Sequence, residues 1–302
     1  MPRVARKKDN NAINYILVKG LSDVHLFKED EDKDEYINFI KKFKSIYGFN
    51  IYAYCIMNDY AHFLFNPNGA DISSIMSSIN IGYSLKYNRK YNRNGHLFNN
   101  RFNSKIIKDD LELKAFTLYI HNSPTILKNY KRHPENYKYS SFGSYIGLKD
   151  EFQIVDEDFI DSFIGNDIAA RKNYMDLVQL YDTDKLLSEI EVYSKISNTK
   201  YYSKSSPAAI NIEEILDFIS AHTGVSKIRL QSKYIKDVED IRAITAFTLK
   251  NFYHARTLEI CSLMGGISSA SASKLFLRGL KLVEENKEYS ALVNDIRKKY
   301  VI

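Results

Sequence analysis

Cysteine is scarce in this chain. Only Cys55 and Cys261 occur in 302 residues, far apart and each inside an apolar pattern. No Cys-x-x-Cys pair exists, which excludes a zinc ribbon and argues against a disulfide framework. No apolar run reaches the length of a bilayer span. The basic opening, Met1 to Lys8, has no apolar stretch behind it, so a signal peptide is not expected either. A phosphate-binding Gly-rich loop and an internal repeat are also missing. Neither charge sign dominates: 43 Lys and Arg against 37 Asp and Glu leave a net +6, a weak argument for a polyanionic partner. What is present is core-forming material. Hydrophobic residues make up 44% and aromatic residues 13%, enough to rule out wholesale disorder. The expectation is a soluble cytoplasmic protein with no membrane partner, and its length points to two domains.

The first half alternates strand and helix patterns. Asn14 to Lys19 reads as a strand. Tyr36, Phe39, Ile40, Phe43 and Tyr47 fall on one face of a helix that Gly48 closes. Ile51 to Met57 and Tyr60 to Phe65 read as strands joined by the turn-forming Asn58-Asp59. Ile72 to Tyr91 reads as a long helix and His96 to Ile107 as a strand. Asp109-Asp110 supplies an N-cap for a helix to about Asn122. The order is β-α-β-β-α-β-α, an α+β class close to a ferredoxin-like antiparallel sheet with helices on one face. The domain reading is 1–150 for this unit, a helical connector over 151–206 with a linker at Ser203 to Pro207, and an all-helical domain over 207–302.

Strand residues alternate between faces, so Tyr60, His62 and Leu64 share one side. The stretch Cys55-Ile56-Met57-Asn58-Asp59-Tyr60-Ala61-His62-Phe63-Leu64-Phe65 carries a single histidine on that side. Two further blocks accompany it, Gly95-His96-Leu97-Phe98-Asn99-Asn100-Arg101-Phe102-Asn103-Ser104 and Tyr119-Ile120-His121-Asn122-Ser123-Pro124. Together they resemble the REP-associated tyrosine transposases, single-strand DNA transposases of the HUH class, over about residues 1–150. The resemblance implies a divalent cation, magnesium or manganese, held by two histidines on a central strand, and a helix-borne tyrosine that attacks phosphorus. The product is a 5′-phosphotyrosine and a free 3′-OH. His62 matches the second histidine, Tyr60 stands at the first, Tyr119 matches the nucleophile, and Ser123 holds the further ligand position. Asp59 and Asn122 are the substitute ligands near enough in sequence.

Between Lys86 and Lys108, the cations Lys86, Arg89, Lys90, Arg93, Arg101 and Lys105 interleave with Tyr87, Tyr91, Phe98 and Phe102. Cations track phosphates and aromatic faces stack on unpaired bases, so this stripe is the candidate DNA contact. A solvated helix end with core aromatics is the plain alternative.

Residues from about 208 onward resemble the C-terminal DNA-binding domain of the replication initiator DnaA. Ile241 to Phe247 and Thr257-Leu258-Glu259-Ile260-Cys261-Ser262-Leu263-Met264-Gly265-Gly266 carry that resemblance. It implies a helix-turn-helix variant in which Arg242, Ser269, Ser271, Lys274 and Arg278 face DNA. The family's base-reading segment is replaced by Ile267-Ser268-Ser269-Ala270-Ser271-Ala272, so the initiator's own sites are not the expected target. A bundle for protein contact or dimerisation stays open beside it. The combined expectation is a nucleoid-associated, transposase-like protein that binds single-stranded or hairpin DNA and, if active, cleaves and rejoins it. The alternatives are a catalytically inactive DNA-binding or regulatory protein, and an RNA binder.

Overall fold

The computed structural model describes residues 9–21, 24–148, 150–180, 212–232, 238–253, 255 and 257–300. The basic N-terminal arm, the linker at Ser203 to Pro207 and much of the expected connector lie outside them. The described residues fall into two compact units.

The first unit is built on a four-stranded antiparallel sheet in the order β2-β3-β1-β4. Its strands are β1 (Asn14–Lys19), β2 (Asn50–Ile56), β3 (Tyr60–Asn66) and β4 (Asn103–Ile106). Helices α1 (Asp30–Tyr47), α2 (Ile72–Lys90) and α3 (Asp110–Asn122) alternate with them. In β1, Asn14, Ile16 and Val18 are buried while Tyr15 and Leu17 are half-buried, the period-2 signature of two different faces. Pairing of Leu17 with His62, and of His62 with Cys55, puts these three residues on one side of the sheet. Ile16 and Phe63 lie on the other side, where Tyr36 of α1 meets the Phe63 ring at 6.4 Å. Helix α3 packs on the opposite face, with Phe116 stacked on Tyr15 at 4.5 Å. The expectation of helices on one face is therefore corrected: the sheet is covered on both sides. The physical reason lies in β2 and β3, whose interior residues are buried without alternation.

The fourth strand is also shorter than its pattern suggested. His96 to Phe102 forms no continuous ladder and touches β1's end through the Gly20–Phe98 bridge and the Asn99 N–H to Lys19 carbonyl bond of 3.0 Å. Gly95, at φ +94°, turns the chain just ahead of this segment, and Asn99-Asn100 within it are poor strand formers. Beyond α3, residues 139–141 lie along β2: the Ile56 N–H donates to the Tyr139 carbonyl and the Ser141 N–H to that of Tyr54. That cover protects an otherwise open sheet edge. Short helix α4 (Phe142–Tyr145) and helices α5 (Glu157–Ile164) and α6 (Ile168–Leu180) complete the unit.

The second unit is helical: α7 (Ile212–Thr223), α8 (Lys227–Gln231), α9 (Glu239–Phe252), α10 (Thr257–Leu263), α11 (Ser269–Glu285) and α12 (Lys287–Tyr300). Its core gathers Ile215, Ile219, Leu230, Ala246, Leu249 and Ile260. Helix α9 is buried on most sides, and α11 crosses it where Gly279 leaves room. A Cβ on Gly279 would sit 2.2 Å from the Ala243 carbonyl oxygen, so only hydrogen fits there.

A candidate tyrosine–histidine centre

Three elements converge on His62. Strand β3 presents Tyr60 and His62, β1 presents Tyr15, and α3 lays Phe116 and Tyr119 across them. Helix α3 begins where it does because the Asp109 side chain accepts the Glu112 N–H at 2.8 Å, capping an orphan donor. From that start, Phe116 and Tyr119 sit three residues apart and share the face turned to the sheet.

The distances describe a compact aromatic cluster. The Tyr15 hydroxyl shares a 2.6 Å hydrogen bond with His62 Nδ1. Tyr119 stands edge-on to His62 with centroids 5.2 Å apart, and Tyr60 does the same at 4.7 Å. The rings of Tyr15 and Tyr119 meet edge-on with centroids 6.3 Å apart. The structure thus brings His62 and Tyr119 together across a long stretch of sequence. His62 is 3% exposed.

This burial sets the charge state. Desolvation, helped by the Lys19 charge, holds the His62 pKa down at about 3, so its imidazole is neutral at pH 7. Burial pushes the Tyr15 and Tyr60 phenols well above their ordinary value. Burial raises Tyr119 as well, against the opposing influence of the Tyr15 hydroxyl beside it. The cluster is a set of neutral phenols around a neutral imidazole.

A divalent cation is the cofactor to fit against these residues. Hard dications take oxygen ligands, several of them anionic. Here Nδ1 of His62 is engaged by Tyr15, and the Tyr60 phenol is held protonated by its surroundings. The Ser123 hydroxyl is turned back to donate to the Tyr119 carbonyl at 3.0 Å. Asp59 is exposed and bonded at 2.6 Å to His25, while Asn122 is buried at the end of α3. Among the described residues no group of three His, Cys, Asp or Glu side chains converges into a metal-holding set. The donor set does not fit a dication, because nothing anionic offsets its charge in a desolvated place.

His121, next but one to Tyr119, has a separate role. It is fully buried, with Nδ1 2.7 Å from the Tyr174 hydroxyl and Nε2 2.7 Å from Ser141 Oγ. Ser141 in turn accepts the Tyr54 N–H at 2.8 Å, so this network ties α3 to β2 and α6. Desolvation depresses its pKa to about 3.

The proposed DNA-facing cations separate into two groups. Arg89 and Arg101 are exposed near the end of α2 and the following loop. Arg93 donates to Asn88 at 3.4 Å across the turn they flank. Lys86 lies 3.7 Å from Glu35 and stays exposed. Lys90, still exposed, and Lys105, half-buried, are instead engaged by carboxylates of the protein itself. Lys90 pairs with Asp32 at 2.8 Å and Glu29 at 2.9 Å, which raises its pKa. Lys105 pairs with the buried Glu112 at 2.9 Å and lies over the Phe116 ring.

In the second unit Arg242 is where the sequence reading needs correcting. It is 4% exposed, donating through Nε to the Leu230 carbonyl at 3.1 Å and through Nη2 to that of Met264 at 2.7 Å. The guanidinium saturates carbonyls near the ends of α8 and α10, which lack intrahelical partners, and cannot reach DNA from there. Arg278 is held by Glu239 at 2.8 Å and Asp240 at 2.7 Å. Ser269, Ser271 and Lys274 are exposed on the first turns of α11, behind the Ser268 N-cap.

Residues that the sequence reading passed over are Tyr15, Phe116 and His25, the exposed partner of Asp59. Only Tyr15 carried a usable signal: it shares the strand face that pairing with β3 places beside His62.

Residues 15–123 match the family model described as "Transposase IS200 like". That span runs from β1 to the end of α3 and is a minority of the chain. A comparison with curated proteins found no match. Among solved structures, the chain is similar to one described as "Structure of the REP associates tyrosine transposase bound to a REP hairpin". The identity is 15%, the TM-score 0.41, and the alignment covers 56% of this chain and 93% of that one. Among the described residues no helix is long and apolar enough to cross a membrane.

Proposed function

We propose that this chain is a transposase-type DNA-binding protein whose first unit grips single-stranded or hairpin DNA without cutting it. The observation that carries the reading is the tyrosine–histidine centre. Within the segment matched to IS200-like transposases, Tyr119 stands against His62 as a strand-attacking tyrosine should. Its surroundings are neutral phenols where a cation would need anionic donors. Binding needs less: exposed cations for phosphates and aromatic edges for bases. Lys86 and Arg89 near the end of α2 and Arg101 in the following loop supply exposed cations, with the half-buried Arg93 between them.

The second unit is proposed as an added DNA contact. Helix α10, the Gly265-Gly266 turn at φ +83° and +70°, and α11 support a helix-turn-helix variant of the DnaA C-terminal type. Ser269, Ser271 and Lys274 would meet the backbone or bases, while Arg242 holds the scaffold. The domain division at 150 and 206, a nucleoid location and a homodimer belong to the same reading.

The test uses the full chain and single-stranded hairpin DNA, with magnesium or manganese, beside a Tyr119→Phe variant. Hairpin binding that weakens steeply with salt, and no covalent adduct on a denaturing gel, is the expected result. An adduct that disappears in Tyr119→Phe would instead make the protein an active strand-cleaving enzyme. Equal affinity for hairpin RNA would move the reading to RNA, and no binding to either would remove it.

A further inference from the structure

Lys19 lies outside the residues that the transposase resemblance assigns, yet it borders the tyrosine–histidine centre. It closes β1 in register with Tyr60 of β3, two residues beyond the Leu17–His62 pair. Strand alternation therefore puts its side chain on the face that carries Tyr60 and His62. Lys19 is exposed there, and the rings of Tyr60 and Tyr119 on the same face are half-buried.

Two more unassigned cations, Lys131 and Arg132, are exposed at the same end of the sheet. They sit in a chain of tight turns after α3: the Tyr130 N–H donates to the Leu127 carbonyl at 2.9 Å and the His133 N–H to that of Tyr130 at 3.2 Å. Tyr130 meets Tyr137 edge-on at 5.0 Å, and the Tyr137 hydroxyl donates to the carbonyl of Ile56, the last residue of β2, at 2.8 Å. Ile56 pairs with Ala61, next to Tyr60. On its other side, the Lys19 carbonyl accepts the Asn99 N–H, which ties the loop bearing Arg101 to this end as well. Lys19 thus stands between two basic segments. In the order β2-β3-β1-β4, the ends of β1 and β2 are two strand spacings apart, about 10 Å. Lys90, Lys105 and Arg278 are held by carboxylates. Among the described residues no carboxylate pairs with Lys19, Lys131 or Arg132.

We propose that Lys19, Lys131 and Arg132 form a phosphodiester track across this end of the sheet, holding the single-stranded DNA beside a hairpin and laying one phosphate over the Tyr119 centre. The proposal rests on the DNA-binding reading and adds where the strand runs. A donor set unsuited to a dication suits a phosphate: Lys19 supplies a positive charge, and protonated phenols donate hydrogen bonds. The half-buried rings of Tyr60, Tyr119 and Tyr130 offer surface for unpaired bases, which favours a single strand over a duplex.

The test titrates the full chain with a hairpin carrying a single-stranded flank, and with the same hairpin lacking it, over a range of salt. On the flanked hairpin, Lys19→Gln should weaken binding several-fold and lower the slope of log affinity against log salt by about 0.7, the value for one single-strand phosphate. Lys131→Gln combined with Arg132→Gln should lower it by about 1.4. On the unflanked hairpin, parent and variants should differ by less than about twofold. Lys41→Gln removes an equal charge from an exposed position of α1 and should keep the parent's slope. All these positions are exposed, so the variants are expected to fold. A slope unmoved by Lys19→Gln or by the double variant overturns the track. So does an equal change in Lys41→Gln, or an equal loss on the unflanked hairpin. An RNA flank bound as tightly as the DNA flank overturns the choice of DNA. A parent that binds neither hairpin removes the DNA-binding reading and the track with it, whereas a binding parent with unaltered variants removes the track alone.

Discussion

Mild acid is expected to destabilise the first unit, and two buried histidines set the size of the effect. Burial lowers His62 and His121 from an ordinary 6.5 to about 3 each. Both are neutral in the folded protein, while the unfolded chain takes up a proton on each as the pH falls below 6.5. Their contribution is therefore whole above about 6.5 and is lost progressively as the pH drops toward 3. At pH 5 each histidine sits 1.5 pH units below its unfolded value, and 1.36 kcal/mol per unit gives about 2 kcal/mol. Together they amount to ~4 kcal/mol, a large part of the 5–15 kcal/mol that holds a typical domain. Carboxylates confuse this window little: Asp32, for one, has burial raising its pKa but hydrogen bonds from Lys90 and Tyr91 outweighing it, leaving the group below its ordinary 3.8. The measurement is urea unfolding at pH 7 and pH 5, read by pulsed hydrogen exchange of peptides from β3 and α3. This reports the first unit alone. In His121→Gln, whose amide can still bond to Tyr174 and Ser141, the loss between the two pH values should fall by about half. An undiminished loss in that variant, or no loss in the parent, would refute the assignment of neutral buried histidines.

Three further outcomes are expected. Gly279→Ala gains about 1 kcal/mol of helix propensity, but its Cβ would lie 2.2 Å from a backbone oxygen of α9 and 2.8 Å from Phe247 Cβ. Overpacking of this kind costs roughly 1–3 kcal/mol, so thermal melting of the second unit should move down; an unchanged or higher midpoint would show that the helices separate freely. Arg242→Met leaves the Leu230 and Met264 carbonyls without their charged donor. It should cost about 3 kcal/mol of stability and leave the salt dependence of DNA binding as it was, whereas a phosphate contact would show the reverse. Arg101→Ala, at an exposed position in the matched segment, should reduce the slope of log affinity against log salt by about 1 if Arg101 meets a phosphate.

Much of the fold was legible because its signals are local. Strand β1 matches its alternating pattern end to end, α2 ends within a residue of its expected boundary, and α3 begins behind the expected Asp109 cap. The fourth strand was over-extended because His96 to Phe102 has strand-like aromatics, and its paired asparagines, Asn99 and Asn100, proved the stronger signal. Helices on both faces of the sheet could not be read from element order, since α1 and α3 each have an apolar side to bury and the order does not say where.

By itself the sequence determined which residues could meet at the centre, His62 on a strand and Tyr119 on a helix, because side-chain periodicity and caps act over a few residues. It also determined the helical character of the second unit. Only the tertiary structure decided the chemistry of those groups. The bond between Tyr15 and His62 joins residues 47 apart and exists only in one strand register. Arg242 became an internal clamp because packing buried it against two free carbonyls. Charge state and availability for DNA follow from desolvation and from the partner a side chain already has, and both are set by residues remote in sequence.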